Sequence, residues 1–195
     1  MRIVAVTKGW PVEVARAAFD AGLTMLGENR VQEAEPKIAA IPDAEWHLVG
    51  RLQSNKARRA VRSFEVIHSV DSVSLLDRLS GIAHDEVRRL RLLVQVNVTG
   101  EAAKAGMTPE ALLESAAALN GTPIIGLMTM ARMDASPDEA RATFRTLREL
   151  RDRVEQASGI GLPELSMGMS GDAEAAAAEG ATLVRIGTAL FGPRL

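Results

Sequence analysis

The 195-residue chain contains no cysteine and no tyrosine. The lack of cysteine excludes disulfides and thiol chemistry, disfavours a zinc site and fits a reducing cytoplasm, where we expect the protein to act. The lack of tyrosine removes one of the side chains that serve as general acids or bases. Any acid–base chemistry must therefore use other groups.

An excess of charge of one sign and a long apolar run are also missing. Lys and Arg total 23 against 25 Asp and Glu, a net charge of −2, so we expect neither nucleic acid nor a membrane as partner. No stretch is long enough to span a bilayer, and the first residues lack the apolar region and cleavage site of a signal peptide. The 47% hydrophobic content suffices for one core, so residues 1–195 are predicted to form a single domain.

Short apolar segments alternate with amphipathic helical patterns along the chain, which is typical of a parallel α/β sheet. The predicted strands are 3–6, 24–26, 46–49, 66–69, 92–96, 124–128, 164–166 and 183–186. The predicted helices are 12–21, 31–41, 56–63, 75–85, 109–119, 137–156 and 172–179. Eight strands with intervening helices favour a closed (β/α)8 TIM barrel over an open doubly wound sheet.

A barrel of this kind carries eight covering helices, whereas the sequence predicts seven, because the chain begins at its first strand. The usual leading helix is therefore expected to be missing. The groove that it would cover is left to the short segment 189–191, to a partner subunit or to nothing. We expect a monomer or a weak homodimer.

Two loops rich in glycine and hydroxyl groups follow the last two predicted strands. One spans 166–170 (SMGMS) and the other spans 185–189 (RIGTA). Small residues let backbone N–H groups approach an anion, and Ser170 and Thr188 add hydroxyl donors. The pattern predicts a phosphate cradle.

Lys8 follows the first strand, which neighbours the last strand in a closed barrel. Alone, such a lysine is more often a surface residue. The phosphate cradle and the nearby cation Arg185 suggest instead a lysine that holds a phosphate-bearing aldehyde as a Schiff base. Arg185 has two other interpretations, a phosphate clamp and a structural ion pair with a residue such as Glu28.

His47 stands alone in its segment, and His68 and His84 have no supporting constellation. A lone histidine among apolar neighbours is more often a hydrogen-bonded core residue than a metal ligand, so no metal is predicted. Met167 likewise has a plain interpretation as a side chain that fills the core.

Six segments together carry a resemblance to a known family. They are VAVTK at 4–8, GENRVQE at 27–33, WHLVG at 46–50, LQSNK at 52–56, HSVDS at 68–72 and the long stretch 165–192. In order and spacing they resemble the pyridoxal phosphate homeostasis protein family, single-domain relatives of the alanine racemase barrel. The resemblance covers nearly the whole chain, although family members usually begin with a helix before the lysine strand.

The resemblance implies pyridoxal 5'-phosphate (PLP) bound covalently through Lys8, with Arg185 facing the pyridine nitrogen. It implies phosphate contacts from Ser170, Gly187 and Thr188. The predicted cofactor-binding set is Lys8, Asn29, His47, Met167, Ser170, Arg185, Gly187 and Thr188. Asn29, His47 and Met167 have no assigned contact, and no catalytic residue is predicted.

Three functions are compatible with these residues. The first is a PLP carrier or buffer in vitamin B6 and amino-acid homeostasis, with transient contacts to PLP-dependent apoenzymes. The second is an amino-acid racemase or related PLP enzyme, which needs proton donors and acceptors on both faces of its substrate. Racemases with this barrel use a tyrosine from a second domain, and this chain has no tyrosine, which favours the carrier. The third is a barrel that binds another phosphorylated metabolite, which leaves Lys8 without a role.

Overall fold

The computed structural model describes residues 1–101 and 104–193, and its eight strands form a closed parallel barrel in sequence order. The strands are β1 Arg2–Val6, β2 Met25–Glu28, β3 Glu45–Leu48, β4 Val66–Val70, β5 Arg91–Gln95, β6 Ile124–Met128, β7 Glu164–Ser166 and β8 Leu183–Ile186. The predicted (β/α)8 barrel is confirmed. The predicted strand ends lie within one or two residues of the observed ones.

A helical segment follows each strand. The helices are α1 Val12–Asp20, α2 Val31–Ala40, α3 Ala57–Ser63, α4 Val73–Asp85, α5 Pro109–Glu114, α6 Pro137–Ser158, α7 Ala173–Ala178 and the four-residue α8 Thr188–Phe191. Short 3-10 turns lie at Ser54–Lys56 and Ala116–Leu119, so the predicted helix 109–119 is divided in two. No helix in the described part of the chain is long and apolar enough to cross a membrane.

The long helix α6 shows how local sequence sets a boundary. The Ser136 hydroxyl accepts a hydrogen bond from the Glu139 amide, and the Glu139 carboxylate accepts one from the Ser136 amide. This capping box satisfies amides that have no partner within the helix. Gly159 ends the helix with φ 74°, a conformation that glycine adopts without strain.

Side chains on each strand alternate between the barrel interior and the helices. Trp46 faces outward and is buried in the main apolar core, whereas its neighbour His47 faces inward. A smaller apolar cluster contains Val66, Leu93 and Met128. The barrel interior also contains several buried polar side chains, among them His47, His68 and Ser166.

Helices α6 and α7 are joined by an ion cluster. The Glu179 carboxylate lies 2.6 Å from Arg141 and 2.9 Å from both Arg145 and Arg148, and its side chain is only 2% exposed. Hydrogen bonds from Arg145 and Arg141 lower the pKa of Glu179 to about 2. A carboxylate whose pKa falls on folding stabilises the folded state only while it is ionised.

We expect the change Glu179→Gln to lower the melting temperature at neutral pH. Because the folded pKa of about 2 lies below the ordinary 4.5, the stabilisation is complete above pH 4.5 and decreases as the pH falls from 4.5 towards 2. Thermal unfolding of both proteins across this range measures the effect. Glu149→Gln, a change of the same charge on an exposed residue of α6, is the control. If the difference in melting temperature between the natural sequence and Glu179→Gln stays constant down to about pH 3, the ionised Glu179 does not stabilise the fold as described.

Candidate functional site

A cavity of about 330 Å³ opens at the carboxyl ends of the strands. It is lined by Val6, Lys8, Asn29, Val49, Met130, Met169, Ser170, Gly171, Arg185, Gly187 and Thr188. Six of the eight residues predicted from the sequence are therefore brought together: Lys8, Asn29, Ser170, Arg185, Gly187 and Thr188. They come from four different strand ends, which is typical of a barrel site.

Lys8 is placed by the turn that ends β1. The Thr7 amide donates to the Gly27 carbonyl at 2.9 Å, which holds the strand end against β2, and the Trp10 amide closes a turn on the Thr7 carbonyl at 3.1 Å. Gly9 follows Lys8 with φ 73°, where other residues are strained. The turn leaves Lys8 half-buried at the cavity wall.

Ser170 and the start of α8, which belong to the two loops of the predicted cradle, lie together in the structure. The Ser170 hydroxyl oxygen accepts hydrogen bonds from the Gly187 amide at 3.4 Å and the Ala189 amide at 3.1 Å. The oxygen thus marks a point on which two backbone donors converge. At Gly168, which has φ 91°, an added Cβ would lie 2.5 Å from the Ala176 Cβ. Only glycine allows this loop to approach α7, so the loop geometry depends on that residue.

Arg185 is almost fully buried, yet its guanidinium is held by several acceptors. Nη1 donates to the Ser166 carbonyl at 2.8 Å and to the Ser166 hydroxyl at 2.7 Å, and Nη2 donates to the Thr129 carbonyl at 2.9 Å. Burial lowers the pKa of Arg185 to about 10, so it stays protonated at neutral pH. These contacts fix a cation in the cavity wall.

The ion pair suggested between Arg185 and Glu28 is wrong, because Glu28 faces α2 and pairs with Lys37. Lys37 Nζ lies 2.5 Å from Glu28 Oε1 and donates to the Thr7 carbonyl at 2.8 Å, while the Thr7 hydroxyl donates to Glu28 at 2.7 Å. All three residues are buried. This cluster ties α2 to the strand ends that precede Lys8 and Asn29.

The Lys37 cluster, although missed by sequence reasoning, has a signal in the sequence. Val31, Ala34 and Lys37 are the buried residues of α2, and their spacing of three places them on one face. A lysine on the apolar face of a helix needs a buried partner of opposite charge. The acidic residue at the end of the preceding strand, Glu28, provides it.

His47 and Met167 are not among the residues that line the cavity in the described chain. Met167 is fully buried in the main apolar core. His47 is buried in the barrel interior, where its ring nitrogens lie 2.8 Å from Glu45 and 2.8 Å from His68. His47 thus has the position of a hydrogen-bonded core residue, and Met167 that of a side chain that fills the core. A contact of either side chain with a cofactor stays a prediction.

Sequence reasoning missed the constellation around His68. Its Nε2 lies 2.8 Å from His47 and its Nδ1 lies 2.8 Å from the Ser166 hydroxyl, which in turn holds Arg185. The only sequence signal is alternation along the strands, which puts His47 and Ser166 on inward positions. Their meeting depends on the register of β3, β4 and β7.

The fold and the site define a barrel of the alanine racemase type. The family described as "Alanine racemase, N-terminal domain" matches residues 1–194. An alanine racemase from Clostridium difficile superposes with a TM-score of 0.80 at 16% identity, covering 100% of this chain and 53% of that one. At this identity the likeness shows the fold alone.

Closer relatives define the family. A "Pyridoxal phosphate homeostasis protein" from Synechocystis sp. is 43% identical over 201 residues, which cover 100% of this chain and 92% of that protein. One from Pseudomonas aeruginosa is 44% identical over 197 residues, covering 98% and 84%. The structure of PipY from Synechococcus elongatus with PLP bound has a TM-score of 0.92 at 42% identity and covers 98% of this chain and 92% of that one. The chain belongs to the pyridoxal phosphate homeostasis protein family, as its motifs predicted.

We expect Lys37→Met to destabilise the fold by about 3–5 kcal/mol, because it leaves the Glu28 carboxylate buried without a counter-charge. Adding Glu28→Gln should recover most of the loss. Urea unfolding of the two variants and of Glu28→Gln alone measures the coupling. Lys56→Met, at a half-buried lysine, is the control and should cost less than about 1 kcal/mol. Equal losses from the two lysine variants contradict a buried ion pair.

Proposed function

We propose that this chain binds PLP in the cavity, with the aldehyde joined to Lys8 as a Schiff base, and acts as a cofactor carrier or buffer. The observation that carries the proposal is the convergence of Lys8, Arg185 and the Ser170 cradle on one cavity of about 330 Å³. The relatives' printed name and the PipY structure with PLP bound support the choice of ligand.

The donor set fits the three reactive parts of PLP. The phosphate needs several N–H and O–H donors, which the amides of Gly187 and Ala189 and the hydroxyls of Ser170 and Thr188 offer. The aldehyde needs an amine, and Lys8 lines the same cavity. Arg185 can only donate, so a ring nitrogen facing it must be an unprotonated acceptor.

Lys8 supplies the covalent step. Its Nζ, as the unprotonated amine, attacks the aldehyde carbon, a carbon–nitrogen double bond forms and the carbonyl oxygen leaves as water. Hydrolysis reverses the step and returns the lysine and the aldehyde. A reversible bond of this kind suits storage and release, including transfer to a PLP-dependent apoenzyme during a transient contact.

The chemistry of the cavity wall favours a carrier over a racemase. Among the described lining residues the ionisable side chains are Lys8 and Arg185, and Arg185 stays protonated, so one base is available. Racemisation needs an acid–base group on each face of the substrate. His47 does not supply the second one, because both of its ring nitrogens bind other residues in the barrel interior.

We expect Lys8→Ala to abolish the visible absorption band that added PLP gives with the natural sequence, because the amine that bonds the aldehyde is lost. Borohydride reduction followed by peptide mass mapping should locate the adduct on Lys8. Binding of inorganic phosphate, measured by calorimetry, should be almost unchanged, since the cradle is intact. Lys56→Ala is the matched control and should keep the band.

An adduct on another lysine, or a band that survives in Lys8→Ala, contradicts the covalent assignment. The racemase alternative is tested separately with amino acids in deuterated water. Exchange of the α-hydrogen with inversion, dependent on Lys8, would overturn the carrier function. No band at all with the natural sequence would contradict the choice of PLP.

A further inference from the structure

A continuous line of hydrogen bonds runs through the barrel interior and ends at Arg185. It begins at Glu45, at the start of β3, and passes through His47, His68 and Ser166. The links are Glu45 Oε1 to His47 Nε2 at 2.8 Å, His47 Nδ1 to His68 Nε2 at 2.8 Å, His68 Nδ1 to Ser166 Oγ at 2.8 Å and Ser166 Oγ to Arg185 Nη1 at 2.7 Å. We call these five residues the interior chain.

The members of the interior chain beyond Glu45 are almost fully buried. The exposed fractions are 1% for His47, 0% for His68, 0% for Ser166 and 5% for Arg185. Their polar groups must therefore satisfy one another. Burial is the main cause that lowers the pKa of His47 and, more strongly, that of His68. Each imidazole is neutral at pH 7 and carries one N–H.

The two charged ends determine which atom donates and which accepts in every hydrogen bond of the interior chain. Arg185 can only donate, so the Ser166 oxygen accepts from it. At the other end, the hydrogen bond with His47 is the main cause that lowers the pKa of Glu45 to about 2, so this carboxylate can only accept. His47 must then carry its hydrogen on Nε2 and accept at Nδ1.

The same reasoning assigns the donors and acceptors of the next two hydrogen bonds. His68 must donate from Nε2 to His47 and accept at Nδ1, and the Ser166 hydroxyl must donate to it. In the reverse order, the bare Nε2 of His47 would face the Glu45 carboxylate at 2.8 Å, with two acceptors in contact. Only one order satisfies every group. Arg91, 2.7 Å from Glu45, holds the outer end in place.

We propose that Ser166, His68 and His47 are positioning residues for the Arg185 guanidinium, and that the Glu45 carboxylate sets the direction of the whole interior chain. The part of this inference that concerns ligand affinity rests on the proposed function, in which Arg185 meets the pyridine nitrogen. The part that concerns proton order and the rigidity of Arg185 does not depend on any ligand. The two parts are tested separately.

The first experiment uses the ligand-free protein with 15N-labelled histidine and arginine. We expect NMR spectra at pH 7 to show His47 and His68 as single Nε2–H tautomers, with the exposed His84 as the reference in the same spectrum. The Arg185 Nε signal should be that of a rigid side chain. Glu45→Gln keeps an acceptor at the end of the chain and should keep this order.

Glu45→Leu removes the acceptor, and we expect mixed tautomers of His47 and His68 and a more mobile Arg185. An Nδ1–H tautomer in the natural sequence, or unchanged spectra in a folded Glu45→Leu protein, would overturn the proposal. Melting curves of both variants establish that they are folded.

The second experiment compares two ligands. Ser166→Ala cuts the interior chain beside Arg185 and should weaken PLP binding about tenfold, the effect of losing one hydrogen bond to a charged group. Inorganic phosphate, which uses the cradle alone, should bind as before. The matched control is Ser69→Ala, because the buried Ser69 hydroxyl donates to the Gly50 carbonyl outside the interior chain.

Equal losses in Ser166→Ala and Ser69→Ala, or a parallel loss of phosphate binding, would overturn the positioning role. If the natural sequence binds phosphate but not PLP, the proposed function fails, while the NMR spectra still decide the order of the interior chain. Restored PLP affinity in Glu45→Gln relative to Glu45→Leu supports action through the terminal acceptor.

Discussion

Pairing of the first strand with the last is the interaction on which the site depends. Val4 lies opposite Arg185 and Ala5 opposite Ile186, so barrel closure brings the two ends of the chain together. An added Cβ at Gly187 would lie 3.4 Å from the Val6 carbonyl oxygen, so the chain just after β8 runs in van der Waals reach of β1. Lys8 follows β1 and the cradle follows β8, so the lysine and the cradle meet across this pair of strands.

Closure also creates an interior that must be filled, and this barrel fills part of it with polar groups. Burying histidine, serine and arginine costs free energy unless each donor and acceptor finds a partner. The interior chain meets that condition because its two ends carry opposite charges. An apolar interior would pack as well, but it would not hold Arg185 in one orientation. The polar interior thus fills the barrel and also holds Arg185 in the cavity wall.

The sequence alone predicts those elements of the structure whose signals are local. Helix α6 follows from its capping box. The placement of Lys8 and Arg185 on one cavity follows from the rule that barrel sites lie at the carboxyl ends of strands. The meeting of His47, His68 and Ser166 could not be predicted, because it depends on register across three strands. The pairing of β4 with β5 also shifts register between Ile67 and Val70, which local sequence does not announce. The division of helix 109–119 had no strong breaker to announce it.

If PLP occupies the cavity as proposed, the same groups that hold it also limit what it can do. A buried guanidinium with three hydrogen bonds to protein acceptors cannot give up a proton at neutral pH, so the ring nitrogen stays unprotonated. An unprotonated ring withdraws electrons weakly and stabilises a substrate carbanion poorly. With Lys8 as the single base among the described lining residues, reversible condensation is the chemistry that remains. The interior chain, by fixing Arg185, therefore favours holding the cofactor over turnover.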